Sequence, residues 1–165
     1  MIENQNKELL TIISPAYNEA ENLDELYSRI LNATENLNLE IEIIYVNDGS
    51  NDNTIEVINR QSKNDGRITV IDLSRNFGKE IALTAGLDHA SGDAVIVIDS
   101  DLQDPPEVIP QLVEKWRDGN DVVNAKRIKR KGEGLLKKIT SYTYYRLLFH
   151  LSDIKIPMDL SLIHI

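Results

Sequence analysis

The sequence predicts an α/β fold: a mostly parallel sheet with helices on both faces. Five short runs of apolar and β-branched residues are spaced as βαβ units require, at residues 9–14, 40–46, 68–73, 94–98 and 121–125. Helical patterns fill the gaps between these runs. Because each crossover helix packs back onto the sheet, this alternation favours parallel strands that are buried on both sides.

Two of the helices are indicated by apolar stripes, in which residues recur three and four positions apart. The first stripe consists of Leu23, Leu26, Tyr27, Ile30 and Leu31. The second consists of Val108, Ile109, Leu112, Val113 and Trp116, and a pair of prolines, Pro105 and Pro106, marks where its helix begins.

Composition limits the chemistry that the chain can carry. Its 165 residues suffice for one domain with a real core, and the absence of cysteine excludes disulfides and thiolate catalysis. The three histidines are too far apart in sequence for a local metal motif. The polar start, residues 1–8, does not resemble a secretory signal, so we expect a cytosolic site of action. The sequence contains no run of 18 apolar residues that would span a membrane.

Charge is distributed unevenly along the chain. Up to Ala125 there are 9 Lys or Arg against 24 Asp or Glu, whereas from Lys126 onward there are 9 against 3. Seven of these basic residues lie in 126–138, and the stretch that follows them is apolar and aromatic. This end suggests an anionic partner, either phosphates or a lipid surface, although a solvated lysine-rich loop is the alternative.

Polar residues follow each of the first four predicted strands, in segments 14–19, 47–50, 74–79 and 99–104. In open parallel sheets ligands bind beyond the carboxyl ends of the strands. The four segments therefore point to one crevice.

The fourth segment suggests a metal site. Asp99 and Asp101 follow a wholly apolar strand, and with the Gln103 amide they could converge on one hard cation such as Mg²⁺ or Mn²⁺. Such a metal would neutralise the charge of a leaving diphosphate. The alternative is an acidic turn that caps the next helix.

The other segments also allow structural interpretations. The run 47–50, Asn-Asp-Gly-Ser, is common in turns and at helix N-caps. Pro15 and Asn18 could simply end a strand and begin a helix. Arg75 and Lys79 could belong to a solvated face, although two cations beside an Asp-x-Asp turn fit phosphate binding better.

Taken in order, the four motifs resemble those of the family 2 glycosyltransferases. They are Pro-Ala-Tyr-Asn-Glu at 15–19, Val-Asn-Asp-Gly-Ser at 46–50, Arg-Asn-Phe-Gly-Lys-Glu at 75–80 and Asp-Ser-Asp-Leu-Gln-Asp-Pro-Pro-Glu at 99–107. Within that family the chain looks most like the polyprenyl-phosphate branch, which includes bactoprenol glucosyltransferases and dolichol-phosphate mannose synthases. The resemblance covers residues 9–159 and implies the GT-A fold, a Rossmann-like α/β domain.

The resemblance also implies roles for single residues. Pro15, Tyr17, Asn18 and Glu19 would line the nucleotide pocket, and Asp48 would accept a hydrogen bond from the base. Asp99, Asp101 and Gln103 would hold the Mg²⁺ or Mn²⁺. Arg75 and Lys79 would help to bind the nucleotide-sugar. Catalytic roles would fall to Asp101, to Arg127 near the diphosphate or lipid phosphate, and to Asp159, the first residue of a motif that this chain does not complete.

The implied activity is a metal-dependent, inverting transfer of a hexose from a nucleotide-sugar, with a lean towards UDP, to a polyprenyl phosphate. A lipid phosphate is largely ionised at pH 7, so it can attack the anomeric carbon without a strong base. Two alternatives stay open: a family 2 enzyme with a soluble sugar or polysaccharide acceptor, and a non-catalytic nucleotide-binding fragment.

Three parts of the chain follow from these patterns. Residues 1–125 form the nucleotide-sugar-binding core, and residues 126–159 form a basic loop and an amphipathic interfacial helix around 135–151 that begins the acceptor region. Residues 160–165 resemble the translated end of a sequencing adapter and are predicted to be non-native. We expect the protein to act at the cytoplasmic face of an anionic membrane, with transmembrane helices after the position where this chain stops, and to turn over poorly without them. No nucleic-acid partner is expected, and a homo-oligomer is compatible with the sequence.

Overall fold

The computed structural model of the chain describes residues 7–126 and 160–164. Its strands are β1 (Leu9–Ala16), β2 (Glu40–Asn47), β3 (Ile68–Asp72), β4 (Ala94–Val97), β5 (Asn124–Lys126) and β6 (Leu160–His164). Its helices are α1 (Leu23–Thr34), α2 (Thr54–Asn64), α3 (Lys79–His89) and α4 (Ile109–Arg117), and a short 3₁₀ turn at Pro106–Val108 leads into α4.

The first four strands form one parallel sheet in the order β3-β2-β1-β4. In its centre Ile12 of β1 lies opposite Ile43 of β2 and Ile96 of β4. Successive strands step outward from β1 through β2 to β3, and β4 then returns to the other side of β1. The strand order therefore reverses between β1 and β4, the position at which open parallel sheets bind ligands.

Helices cover both faces of this sheet, as predicted. Because side chains alternate along a strand, Ile12 and Tyr45 point to one face, where they share a core with Leu26 of α1 and Leu112 of α4. The opposite face carries Ile13, Ile44 and Val46, which pack on Ala82 of α3.

The two apolar stripes lie where the sequence placed them. Leu23, Leu26 and Ile30 of α1 are fully buried, as is Ile109 of α4. The proline pair begins the 3₁₀ turn, so Val108 precedes the α-helix and does not belong to it.

The fifth predicted strand differs from the expectation. It is confined to β5, and it pairs antiparallel with β6, with Asn124 opposite His164. Within the described residues the parallel sheet therefore has four strands. Val122, in the predicted run, is 65% exposed, whereas a parallel strand of this sheet would be buried on both faces. The partner of β5 is thus the segment 160–164, which the sequence predicts to be non-native.

Several predictions fall outside the described residues. These are the roles of Arg127 and Asp159, the basic loop beyond Lys126, and the amphipathic helix around 135–151. In the parts of the chain that the structure does describe, no helix is long and apolar enough to cross a membrane.

Candidate active site

A cleft of about 280 Å³ lies at the carboxyl edge of the parallel sheet. Residues at or just beyond the carboxyl ends of all four strands line it: Pro15, Ala16, Tyr17, Glu19, Asp48, Asn76, Gly78, Lys79, Asp99, Ser100 and Asp101. The cleft includes the switch point between β1 and β4, and Pro15 and Asp99 both line it.

The carboxylate of Asp48, just after β2, is bound by the protein itself. It is only 3% exposed. Its Oδ1 accepts the backbone N–H of Phe77 at 2.8 Å, and its Oδ2 accepts the N–H of Gly78 at 3.0 Å. Asp48 therefore fixes residues 75–78, the part of the β3–α3 loop that carries Asn76 and Gly78 into the cleft.

Gly49 allows this loop to approach closely. Its φ of +63° lies in the left-handed region, and a Cβ at this position would stand 2.3 Å from the backbone carbonyl carbon of Arg75. The Asp-Gly pair at 48–49 is thus a turn, as one interpretation of the sequence held, and it also seats a second loop of the cleft.

Asp99 and Asp101 form the opposite wall. The Asp99 carboxylate is paired with the Lys79 ammonium, whose Nζ lies 2.5 Å from Oδ1 and 2.6 Å from Oδ2. Asp101 accepts one local hydrogen bond, from the backbone N–H of Gln103 at 2.9 Å. Leu102 between them has a φ of +59°, an uncommon conformation for a bulky residue, and it turns the chain sharply after Asp101.

Ser100 joins the two acidic residues to β1. Its buried hydroxyl donates to the Pro15 carbonyl at 2.7 Å and lies 2.8 Å from the Ser14 hydroxyl. The Asp-x-Asp segment is thereby fixed beside the loop that follows β1. The motifs do not predict this link, and its only signal in the sequence is a small hydroxyl residue at the carboxyl ends of two neighbouring apolar strands.

The segment after β1 divides between the cleft and the supporting structure. Tyr17 lines the cleft with its side chain 42% exposed. Asn18, at a φ of +56°, turns away: its N–H donates to Ser50 Oγ at 2.9 Å and its Oδ1 accepts the N–H of Asn51 at 2.8 Å. Glu19 lines the cleft, and its carboxylate accepts the Asn22 amide at 2.6 Å. Asn18 thus ties the β1 loop to the β2 loop and does not line the described cleft.

Two further predicted residues also lie off the cleft wall. Arg75 is exposed, and its guanidinium stands over the Phe77 ring, 4.8 Å from the centroid. Gln103 is exposed and reaches Asp101 through its backbone, not through its side-chain amide. Lys79, by contrast, lines the cleft and pairs with an acid, so the solvated-face interpretation does not hold for it.

The donor set of the cleft suits a hard cation that also binds a phosphate. Among the described residues no group of three or more Asp, Glu or His is arranged to hold a metal ion. Asp99 and Asp101 supply two carboxylates on one wall. Mg²⁺ characteristically takes one or two carboxylates and completes its shell with water and substrate phosphates, so this pair fits such an ion.

The fold and the motifs agree with a known enzyme family. The model for glycosyl transferase family 2 matches residues 11–161, nearly the whole chain. The chain therefore belongs to glycosyl transferase family 2. It is 48% identical over 149 residues to the uncharacterized glycosyltransferase YkcC of Bacillus subtilis, covering 90% of this chain and 46% of that protein. It is 47% identical over 147 residues to the bactoprenol glucosyl transferase of Shigella phage SfV, covering 89% and 48%.

The chain thus spans about half the length of the curated relatives that it matches. Solved structures support the same assignment. The mannosyltransferase PcManGT of Pyrobaculum calidifontis, solved with GDP-Man and Mn²⁺, matches with a TM-score of 0.57 at 27% identity, over 76% of this chain and 37% of that one. The S. aureus TarS 1–349 complex with UDP-GlcNAc matches with a TM-score of 0.59 at 25% identity, over 76% and 36%. The predicted GT-A fold is confirmed.

Proposed function

We propose that the cleft binds a nucleotide-sugar, a UDP-hexose, together with Mg²⁺ or Mn²⁺, and that the sugar is passed to a polyprenyl phosphate. The observation that carries the proposal is the convergence of the four strand-end segments on one cleft with Asp99 and Asp101 on its wall. Membership of glycosyl transferase family 2 supplies the reaction class.

The charge of the cleft supports a metal. Its described lining holds four carboxylates, on Glu19, Asp48, Asp99 and Asp101, and one ammonium, on Lys79. A diphosphate that entered this lining alone would meet net negative charge. A divalent cation on Asp99 and Asp101 would remove that repulsion and, when bound, would stabilise the departing nucleoside diphosphate. The Mn²⁺ bound with GDP-Man in the Pyrobaculum calidifontis enzyme is a precedent for such a site.

The opposite side of the cleft suits the nucleoside. Tyr17 offers a half-exposed aromatic ring against which a base can stack. Asp48 reaches the cleft with both oxygens already bonded to backbone N–H groups, yet a carboxylate has further lone pairs with which to accept from a base. We assign the base to this side, with Pro15 and Glu19 as neighbouring walls, and uridine as the nucleoside.

The acceptor side rests on relatives and on sequence. Relatives at 46–47% identity are named bactoprenol glucosyl transferases, which supports a polyprenyl phosphate as acceptor. Its phosphate oxygen would form a bond to the anomeric carbon as the bond to the nucleoside diphosphate breaks, with inversion. The basic segment 126–138 would attract the anionic lipid at the cytoplasmic surface of a membrane, with Arg127 and Asp159 as catalytic candidates.

The donor site is tested by titration calorimetry with UDP. We expect binding in the presence of Mn²⁺ and at least about tenfold weaker binding in EDTA, because the cation offsets the carboxylates. GDP provides the comparison for the base. Absence of binding for UDP and GDP, with and without Mn²⁺, would contradict the proposed donor site.

The acceptor is tested separately, with radiolabelled UDP-glucose and undecaprenyl phosphate in detergent. Label in the lipid extract supports the polyprenyl acceptor. Label that appears only in water-soluble sugar or polysaccharide supports the alternative, a family 2 enzyme with a soluble acceptor.

A further inference from the structure

Lys79 occupies a position that its own helix does not explain. It is the first residue of α3, where a positive charge faces the positive end of the helix dipole. Gly78, the N-cap residue, provides no side-chain hydrogen bond there. The Asp99 carboxylate does explain the position, because both of its oxygens lie within 2.6 Å of Lys79 Nζ.

This ion pair conflicts with metal binding at the same carboxylate. A cation on Asp99 and Asp101 needs at least one Asp99 oxygen, and the ammonium already contacts both. The pair is partly open to solvent, with side chains 38% and 20% exposed, so it is weakly held. The flexible stem of lysine lets the ammonium move without a change in the backbone. A metal-bound diphosphate would bring a new anion into the cleft that Lys79 lines.

We propose that Lys79 exchanges partners when the donor binds: it neutralises Asp99 in the donor-free cleft and contacts the diphosphate once the metal occupies Asp99. This inference rests on the proposed donor site and deepens it. It assigns Lys79 two opposing effects, since the lysine competes with the free metal ion and assists the nucleotide. A lysine that only held Asp99 in place would affect both affinities in the same direction, because its loss would weaken the binding of the metal ion and of the nucleotide.

The test measures both ligands on the chain and on Lys79→Met, which keeps the aliphatic stem and removes the charge. Paramagnetic resonance of free Mn²⁺ gives the affinity for the metal alone. Titration calorimetry in saturating Mn²⁺ gives the affinity for UDP. We expect Mn²⁺ alone to bind about threefold to fivefold more tightly to the variant, the scale of one exposed ion pair. We expect UDP to bind about tenfold or more weakly, because a charge-assisted contact to phosphate is lost.

Two further variants separate charge from damage. Lys79→Arg keeps the charge but changes its shape, so it should shift both affinities less than Lys79→Met does. Lys115→Met removes a comparable lysine–aspartate pair, with Asp118 at the end of α4, and should change neither affinity. Lys79→Gln carries the same prediction as the Met variant and decides the matter if the latter does not fold.

The possible results separate partner exchange by Lys79 from the proposed donor site. If the parent binds UDP–Mn²⁺ but Lys79→Met or Lys79→Gln binds Mn²⁺ alone no more tightly, partner exchange is wrong and the donor site stands. Weaker binding of both ligands by the variant would likewise overturn the exchange in favour of a fixed brace. A parent that binds no UDP would overturn both proposals.

Discussion

Asp48 and the Asp99–Asp101 pair occupy equivalent places in the fold and have opposite surroundings. Each follows a buried parallel strand and lines the same cleft. Asp48 is buried and both of its oxygens accept backbone N–H groups from the β3–α3 loop. Asp99 is held by a partly exposed lysine, and Asp101 accepts one local N–H.

We expect this difference to separate a carboxylate that mainly supports the fold from carboxylates that mainly bind a ligand. A carboxylate whose two oxygens both accept backbone N–H groups stabilises the fold, and moving it is costly even though it keeps lone pairs for a ligand. A carboxylate held by a mobile side chain can change partner at little cost. We therefore propose that the same sequence signal, an aspartate after an apolar strand, has two uses in this cleft.

The largest effect is expected at Gly49. Gly49→Ala would place a Cβ 2.3 Å from the Arg75 backbone and force an alanine to a φ of +63°, so we expect a loss of about 3 kcal/mol in the free energy of unfolding. Urea denaturation measures it. Gly119→Ala, at a φ of +91° in open space, isolates the backbone strain and should cost about 1 kcal/mol. Gly66→Ala meets nothing within 4 Å and should be near neutral. Equal losses at positions 49 and 119 would show that loop contact at Gly49 is unimportant.

The second-largest effect is expected at Asp48, whose carboxylate holds the β3–α3 loop. Asp48→Asn keeps the shape but turns one acceptor into a donor, which would face the N–H of Phe77 or Gly78. One N–H of a partly buried contact then lacks an acceptor, and we expect a loss of about 2 kcal/mol. Chemical denaturation checks this value. The control is Asp88→Asn on the exposed side of α3, which should stay within about 0.5 kcal/mol of the parent. A neutral Asp48→Asn would mean that Asp48 does not hold the loop.

A smaller effect on stability is expected at Asp65, a carboxylate outside the cleft. Arg67 hydrogen-bonds to Asp65 and, with the Tyr27 hydroxyl 2.6 Å away, holds the pKa of Asp65 well below its usual range. Because the folded pKa lies below the unfolded one, this stabilisation is present above about pH 4 and is lost as the pH falls further. Asp65→Asn should therefore cost about 1 kcal/mol near pH 7 and less at about pH 3. Urea unfolding at both pH values measures the difference. A difference that stayed constant with pH would contradict the assignment.

Most of the fold could be predicted from the sequence because the patterns that specify strands and helices are local. The apolar run that predicts β1 also places Ile12 and Ile13 on opposite faces, because side chains alternate along a strand, and parallel strands bring their carboxyl ends to one edge. The prediction of a fifth parallel strand was wrong because the partner of β5 is β6, which lies more than thirty residues further along the chain.

The division among the aspartates could not be predicted for a similar reason. The backbone N–H groups that bind Asp48 belong to Phe77 and Gly78, 29 and 30 residues away. No residue near Asp48 in the sequence indicates these partners. The Ser100 link to Pro15 spans 85 residues. Motifs therefore located the cleft, while the partner of each side chain depended on how the loops pack.

We expect Asp101 to serve binding and not folding. Asp101→Asn should leave the free energy of unfolding within about 0.5 kcal/mol of the parent, because the side chain is partly exposed and makes a local contact. The same variant should bind UDP in the presence of Mn²⁺ at least about tenfold more weakly by titration calorimetry, since a neutral amide is a poor ligand for a hard cation. Asp118→Asn at the end of α4 serves as the matched control and should bind as the parent does. An unchanged affinity of Asp101→Asn for UDP in the presence of Mn²⁺ would show that Asp101 does not hold the metal ion.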